Sequence, residues 1–488
     1  MPAADVWVGL DLGTQSVRAL AVSEHGTVVG SGSRPLRGRR DGPRHEQDPD
    51  DWWRAVAAAS RDALRDVDPA AVRGVAVDAT SGTVLLVDHD GTPLTPGLMY
   101  DDTRAAGEVE RVNEVGAAVW QELGYQRMQP AWALPKLLWL LRKHGAGPGT
   151  RLAHQSDIVT SQLVGGPVAT DLSNALKTGA ELVSETWPTE VFDTLGVPAD
   201  VLPPLVRPGT PLGEVCAAAA EETGLRAGTP VVAGATDGCA AQLGAGVLRP
   251  GSWNSVLGTT LVLKGVSRDL VRDPSGAVYS HKAPSGDWLP GGASSTGAGA
   301  ISRDFPGADL DELNRRAAGF EPSSALTYPL ISAGERFPFV APQAQGFVLG
   351  TPADDGDRFA GVLQGVAFVE RLCFEHLDLL GAPLSGDLVL TGGATRSTYW
   401  TQLRADVLGR PVTLVENAEP ALGMAVLAAS PGRDAADVAA TMVRVHAIVE
   451  PRPDGARFTE PYLRFVDELE RRGWLPAATA RHAKEHAS

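Results

Sequence analysis

Cysteine is scarce in this chain. Only Cys216, Cys239 and Cys373 occur in 488 residues, and none stands in a C-x-x-C pair. That excludes a disulfide framework and the ligand spacing of a structural zinc site, and it predicts a reducing cytosol. Long apolar runs are missing too. No stretch approaches the ~20 residues of a membrane span, and the N-terminus enters a strand pattern where a signal peptide would show a basic and then an apolar region, so a cytoplasmic location is expected. Positive charge is in deficit, with 43 Lys and Arg against 59 Asp and Glu and a net charge of -16. Such a surface repels phosphate backbones and anionic headgroups, which sets aside nucleic acid and membranes as general partners. Familiar catalytic signatures are also absent. There is no G-x-x-x-x-G-K-[ST] and no G-x-G-x-x-G after the first strand. No H-E-x-x-H occurs, so His154, His281 and His376 read as core or surface residues. No G-x-S-x-G elbow is present.

What remains is an ordinary globular composition, 43% hydrophobic and 21% charged, in a chain longer than one core usually supports. Two α/β domains are expected. The opening VWVGLDLGTQSVRALAVSEHGTVVG reads as a three-strand meander with a glycine in its first turn. In DPDDWWRAVAAASRDALRDV, Asp48 can cap a helix and Pro49 can open it, with Trp53, Val56, Ala57, Ser60, Ala63, Leu64 and Val67 on the buried face. Near residue 230, PVVAGATDGCAAQLGAG runs strand, turn, helix. GSWNSVLGTTLVLKGVS then repeats the opening pattern of strand, G-T turn and strand, a short echo that suggests an internal duplication. Toward the end come a long helix in RFAGVLQGVAFVERLCFEHLDLLG closed by Gly381, the strand DLVLTGG, a helix from about Thr398 to Leu408, the strand PVTLVE and the helix PALGMAVLAA. The boundary is placed among the Gly and Pro residues of 244–250, giving domains 1–246 and 247–477 and a tail, 478–488, expected to fray.

Several junctions have the composition of a site. Asp11-Leu12-Gly13-Thr14 offers a glycine turn, a hydroxyl and a carboxylate, which is what a phosphate loop that recruits Mg²⁺ requires; it also suits a plain hairpin turn. Gly258-Thr259-Thr260 is a second such turn without the carboxylate. Asp237, between a strand and a helix, is either a helix cap or a base able to take the proton of an attacking hydroxyl. Gly392 and Gly393 allow close approach of a flat ligand, or simply tight packing. The run GGASSTGAGA at 291–300 borders a ligand or forms a flexible loop. Tyr100, Asp102 and Arg104 could read sugar hydroxyls or pair at the surface.

In this order the segments resemble the FGGY carbohydrate kinases from about Val6 to Ala429. VGLDLGTQSVRAL resembles that family's first phosphate loop, EQDPDDWW its following helix, PKLLWL and ATDLSNALKTG its middle signatures, GATDGCAAQLGAG its catalytic-Asp segment, LGTT its second phosphate loop, and LTGGATRSTYWTQLRADVLGRPV its adenosine-binding signature. The resemblance implies two actin-like ATPase (ribonuclease H-like) domains with a catalytic cleft between them, taking a small-molecule sugar and MgATP, with a homodimer left open. Carried over by position, Asp11 contacts Mg²⁺ or the phosphates. Gly13, Thr14, Gly258, Thr259 and Thr260 line the phosphate chain, Gly392, Gly393 and Ser397 lie by the adenosine, and Asp237 serves as general base. Asp78-Ala79-Thr80-Ser81-Gly82-Thr83 stands where xylulokinases show Q-M-H-G, and Tyr100-Asp101-Asp102-Thr103-Arg104 where they show W-N-D-x-R. With GERFPF at 334–339, these variants are similar to a ribulose-type branch found in cyanobacteria and plant plastids. That likeness implies D-ribulose as substrate, with Ser81 and Asp102 on the sugar, and D-xylulose as the alternative. Actin-like regulators that bind sugar or ATP without phosphoryl transfer are the non-enzyme reading.

Overall fold

The computed structural model describes residues 4–486. The chain divides into two compact units. One runs through Leu248 and takes back His281–Leu289 and Asn417–Arg444; the other comprises Arg249–Ser280, Pro290–Glu416 and the chain from Val445. Sequence placed a single crossing near 244–250, whereas the chain returns to the first unit twice more.

The first unit is built on a six-stranded sheet. Its central strand, Val6–Leu12, pairs antiparallel with Ser16–Ser23, which pairs antiparallel with Val28–Pro35. On its other side lies Val72–Ala79, parallel, followed by Pro230–Val232, also parallel, and by Pro211–Glu214, antiparallel. Val8, Gly9 and Leu10 are buried in succession, as are Val75, Ala76 and Val77 of the parallel neighbour. Such continuous burial fits parallel strands covered on both faces. The helix Pro49–Ala63 opens as read from sequence, with the Asp48 side chain accepting from the Asp50 N–H. Its deepest aromatic is Trp52, not Trp53. Trp52 is sealed from solvent and donates to Gln47 Oε1 at 2.7 Å, while Trp53 is half-buried and donates to Glu222.

The helix Pro420–Ala428 covers the opposite face of this sheet. A Cβ on Gly9 would lie 1.7 Å from the Ala421 carbonyl oxygen, and one on Gly423 would lie 2.0 Å from that of Ala240. These glycines therefore let the helix backbone lie directly on the central strand and on the helix Asp237–Gly244. Sequence had placed PALGMAVLAA with the second domain; its contacts place it in the first.

The second unit repeats the plan. Trp253–Leu257 pairs antiparallel with Leu261–Gly265 on one side and parallel with Leu388–Thr391 on the other. Val412–Val415 continues the sheet in parallel and Val445–Val449 closes that edge antiparallel. The other edge continues through Trp288–Ala293 to Tyr279–Lys282, making seven strands. Outward from each central strand the sequence of directions is the same, so the echo in the sequence reflects a repeated topology. The long helix Asp355–Leu379 is buried nearly all round. It carries Glu370, which with Arg404 of the helix Thr398–Leu408 and Ser255 of the central strand forms a sealed ionic cluster, with Arg404 bonding both Glu370 oxygens at 2.7 Å.

The end of the chain does not fray as expected. Ala477–Glu485 is a helix with Thr479, Ala480 and Ala483 buried, and Lys484 pairs with Asp467 and Glu470. Adjacent Thr479 and Ala480 lie one helical turn before Ala483, so the three small residues share a face that lets the helix pack on Asp355–Leu379. Ala487 and Ser488 lie outside the described residues. No helix among the described residues is long and apolar enough to cross a membrane.

Candidate functional site

Three carboxylates meet at one end of the first unit's sheet. Asp11 sits near the end of the central strand, directly opposite Asp78 of the parallel neighbour. Asp237 begins its helix just after Thr236, which bridges to Ala79 at the end of the same neighbour. Strand register and the bridge from Thr236 to Ala79 thus bring three carboxyl groups together. The Asp11 carboxyl is pushed up to about 6, chiefly by burial and also by nearby Asp237 and Glu419, against the opposing influence of Asp78 and Arg18. Asp78 is sealed from solvent, and burial together with the charges of Asp11 and Asp237 holds it well above the usual carboxylate range. Apart from the Asp11 carboxyl, no donor reaches either Asp78 oxygen. Its carboxyl faces that of Asp11, and two such groups bond only when one keeps a proton.

Asp237 occupies the first helical position, while the cap position belongs to Thr236. Its Oδ1 accepts from the Gly238 N–H at 2.7 Å, which fixes the carboxylate plane. Behind it, the Thr236 N–H donates to the Ser173 hydroxyl, which donates to Asp171, itself the cap of the short helix Leu172–Ala175. This line of bonds ties T-D-L-S-N to the position of Asp237.

The turn after the central strand is closed by the Gly13 N–H donating to the Ser16 carbonyl at 3.1 Å, and the Thr14 carbonyl accepts from Gln47. Tyr100 reaches this turn through the Thr14 hydroxyl and feels the charge of Asp237, so it borders the carboxylates. Ser81 lies beyond Asp78 in a loop braced by Thr80, Thr83 and Gln155. The Ser81 hydroxyl is buried and engages no protein group. Asp102 is placed differently. It is sealed from solvent, and both its oxygens are taken by the His45 N–H and by the N–H and guanidinium of Arg104. Its carboxylate holds the scaffold together and has little left to offer a sugar.

Two residues that sequence reading passed over stand out. Asp78 is one; it figured only as the first residue of D-A-T-S-G-T, with no role, although a charge inside the buried run VAVDA was a further signal. The other is Lys136 in the helix Ala133–His144, fully buried, whose Nζ donates to the carbonyls of Gly82 at 2.8 Å and Met99 at 2.6 Å. Burial lowers its ammonium to about 7. It joins the Ser81 loop to the segment that leads into Tyr100, and Lys177 adds a bond to the Ser81 carbonyl.

In the second unit the turn Gly258-Thr259-Thr260 joins the two hairpin strands, closed by the Gly258 N–H to the Thr260 carbonyl. The glycine run at 291–300 is a strand and helix start packed beneath it, not a flexible loop. The Ala298 and Gly299 N–H groups donate to the Gly258 and Thr259 carbonyls. Glu335 of the GERFPF segment fastens this run by accepting from Ser294, Ser295, Thr296 and Tyr328. Gly392, at φ 88°, presses against the backbone of Leu257, so the TGG turn adjoins the hairpin turn. The Cβ positions of Gly258 and Gly393 meet nothing within 4 Å. Ser397 caps the helix Thr398–Leu408 through the Trp400 N–H and donates to Asn314.

Residues 6–244 match the N-terminal domain of the FGGY family of carbohydrate kinases, and residues 254–431 match its C-terminal domain. A protein from Streptomyces coelicolor named xylulose kinase is 33% identical over 450 residues, covering 88% of this chain and 89% of its own length. Another of that name, from Streptomyces rubiginosus, is 32% identical over 445 residues, with 88% and 89% covered. The crystal structure of a "xyloylose kinase" from Brucella ovis superposes with a TM-score of 0.87 at 27% identity, covering 96% of this chain and 99% of the other. Domain matches over most of the sequence, relatives aligned nearly end to end and the doubled actin-like sheet all lead to one assignment: the chain belongs to the FGGY family of carbohydrate kinases.

Proposed function

We propose that the chain, an ATP-dependent sugar kinase, acts on a ketopentose and specifically on D-ribulose, yielding D-ribulose 5-phosphate and ADP. The carboxylate trio Asp11, Asp78 and Asp237 carries this reading. A sugar hydroxyl attacking the γ-phosphorus must lose its proton as the bond to the ADP oxygen breaks. Asp237 has one oxygen fixed by Gly238 and the other without a protein partner, which suits it to accept that proton. Asp11 sits beside the Gly13–Thr14 turn, whose Thr14 N–H and hydroxyl suit phosphate oxygens.

Mg²⁺ fits the donors at this point. The ligands are all oxygen, negative charge is in excess, the Asp78 oxygens have no donor beyond the Asp11 carboxyl, and Arg18 is turned toward Glu419. Asp11 is the residue that would hold the ion, which when bound neutralises charge on the β- and γ-phosphates. Gly258, Thr259 and Thr260 are assigned to the phosphate chain and Gly392, Gly393 and Ser397 to the adenosine, as supported by their adjoining turns and the open space over Gly258 and Gly393.

Ribulose is favoured by the unengaged hydroxyl of Ser81 in a loop that departs from the xylulokinase pattern. D-Xylulose is the second reading, favoured by the names of the relatives. A panel of ketopentoses, hexuloses and polyols with MgATP separates them through sugar-dependent ADP release. The expected result is strongest turnover with D-ribulose. Faster turnover with D-xylulose replaces the substrate, and no rise above basal ATPase with any sugar removes the ketopentose reading.

A further inference from the structure

Away from the carboxylate trio, two helices of the second unit bring metal-binding groups together. Glu375 projects from Asp355–Leu379, while His482 and His486 follow one turn apart on and just after the terminal helix Ala477–Glu485. One ligand atom from each lies within 4.8 Å of the others. Modest side-chain rotation converts that spacing into the ~2.0–2.2 Å bonds of Zn²⁺ to imidazole nitrogen and carboxylate oxygen.

The two imidazole rings lie 4.2 Å apart, centre to centre, and each has one nitrogen already engaged and one to offer an ion. His482 Nε2 stands 2.9 Å from Asp378 Oδ2, three residues beyond Glu375, so a proton on Nε2 leaves the Nδ1 lone pair free. His486 Nδ1 stands 2.9 Å from the His482 carbonyl, so a proton there leaves Nε2 free. A carboxylate or carbonyl fixing the non-ligating nitrogen is the usual support of a metal-bound histidine. Glu375 is half-buried, and its nearest cation, Arg371, is 3.6 Å away with its guanidinium over the Tyr462 ring. Beside the group a cavity of about 510 Å³, lined in part by Arg371, Glu375, Asp378 and His486, gives an ion a way in. The other grouping of this kind, Asp88, His89 and Asp90, is weaker, because Asp88 is taken up by the N–H groups of Asp90 and Thr92.

We infer that Glu375, His482 and His486 form a binding site for a borderline divalent cation such as Zn²⁺, which clips the terminal helix to Asp355–Leu379. Two nitrogens and one oxygen with a further position left for water match the ligand number of an open zinc site. The site is independent of the kinase chemistry.

The test is titration of the full chain with ZnCl₂ alone, followed by calorimetry, by the visible spectrum of the Co²⁺-substituted protein and by thermal melting. The expected result is one equivalent bound per chain, with a rise in melting midpoint. His486→Ala and His482→Ala should each weaken this binding at least tenfold and abolish the rise. Asp378→Asn should weaken it roughly tenfold, as the loss of an orienting partner does. Folding of the variants is checked by circular dichroism in metal-free buffer, where His486, exposed on the last turn, is replaceable without disturbing a core. No binding by the wild-type chain, or binding of unchanged stoichiometry and affinity in the His482→Ala/His486→Ala double variant, overturns the site.

Discussion

Asp11, Asp78 and Asp237 are held together against their mutual repulsion, and this has consequences for both turnover and stability. Asp237→Asn should lower kcat by ~10²–10⁴-fold with little change in the KM for ATP, since only the proton acceptor is lost; steady-state kinetics checks this. The stability effect has the opposite sign. Asp11 and Asp78 have raised pKa values in the fold, so the folded chain binds protons more tightly than the unfolded one. Their contribution is fully present below the unfolded carboxylate value of about 4 and is lost as pH rises through about 6 for Asp11 and higher still for Asp78. Asp78→Asn should therefore stabilise the fold at pH 8 by an amount on the order of 1 kcal/mol, read as a higher melting midpoint, while impairing activity. The gain should shrink at pH 5, and an equal gain at both values would disprove the linkage. Asp11 and Asp237 were legible because each lies in a glycine-marked junction. Asp78 was not, because only the pairing register of two strands distant in sequence puts it opposite Asp11.

Helices and strands were the most readable level, and their misreadings have physical causes. Period and capping located Pro49–Ala63 and Thr398–Leu408, but the former's buried aromatic was assigned one residue late, because adjacent Trp52 and Trp53 both fit a wide apolar stripe. Backbone contact is invisible to periodicity. Gly9→Ala and Gly423→Ala should each destabilise the chain by ~1–3 kcal/mol or more, as each Cβ drives into a carbonyl. Gly107→Ala, whose Cβ meets nothing within 4 Å, should stay within ~0.5 kcal/mol; denaturant melts read the difference. In the second unit, Glu370→Gln leaves Arg404 charged and sealed, and should cost ~3–5 kcal/mol. Lys136 links two segments by its ammonium, so Lys136→Met should raise the KM for sugar while leaving that for ATP nearly unchanged. An equal rise in both would mark general loosening instead.

At the scale of the whole chain, the repeated strand order was faintly visible in one echoed hairpin and became plain only when the parallel neighbours were in place. The division was harder to read, because the helix Pro420–Ala428 follows second-unit elements in sequence and belongs to the first by packing. A fragment ending at Leu248 should aggregate or bind a dye for exposed apolar surface. The same fragment with 417–444 rejoined through a flexible linker should be better folded, as judged by dye binding and sedimentation.

The lateness of that helix also bears on synthesis. The central strands of the first sheet, Val6–Leu12 and Val72–Ala79, leave the ribosome hundreds of residues before the segment that covers one of their faces. While the second unit is being made, Gly9 and the helix Asp237–Gly244 await a backbone that does not yet exist. The nascent first unit is consequently an unfinished body with an open apolar face for much of translation. In the growing chain, the span from Leu248 to Asn417 is an interval when chaperone capture or aggregation competes with completion of the fold.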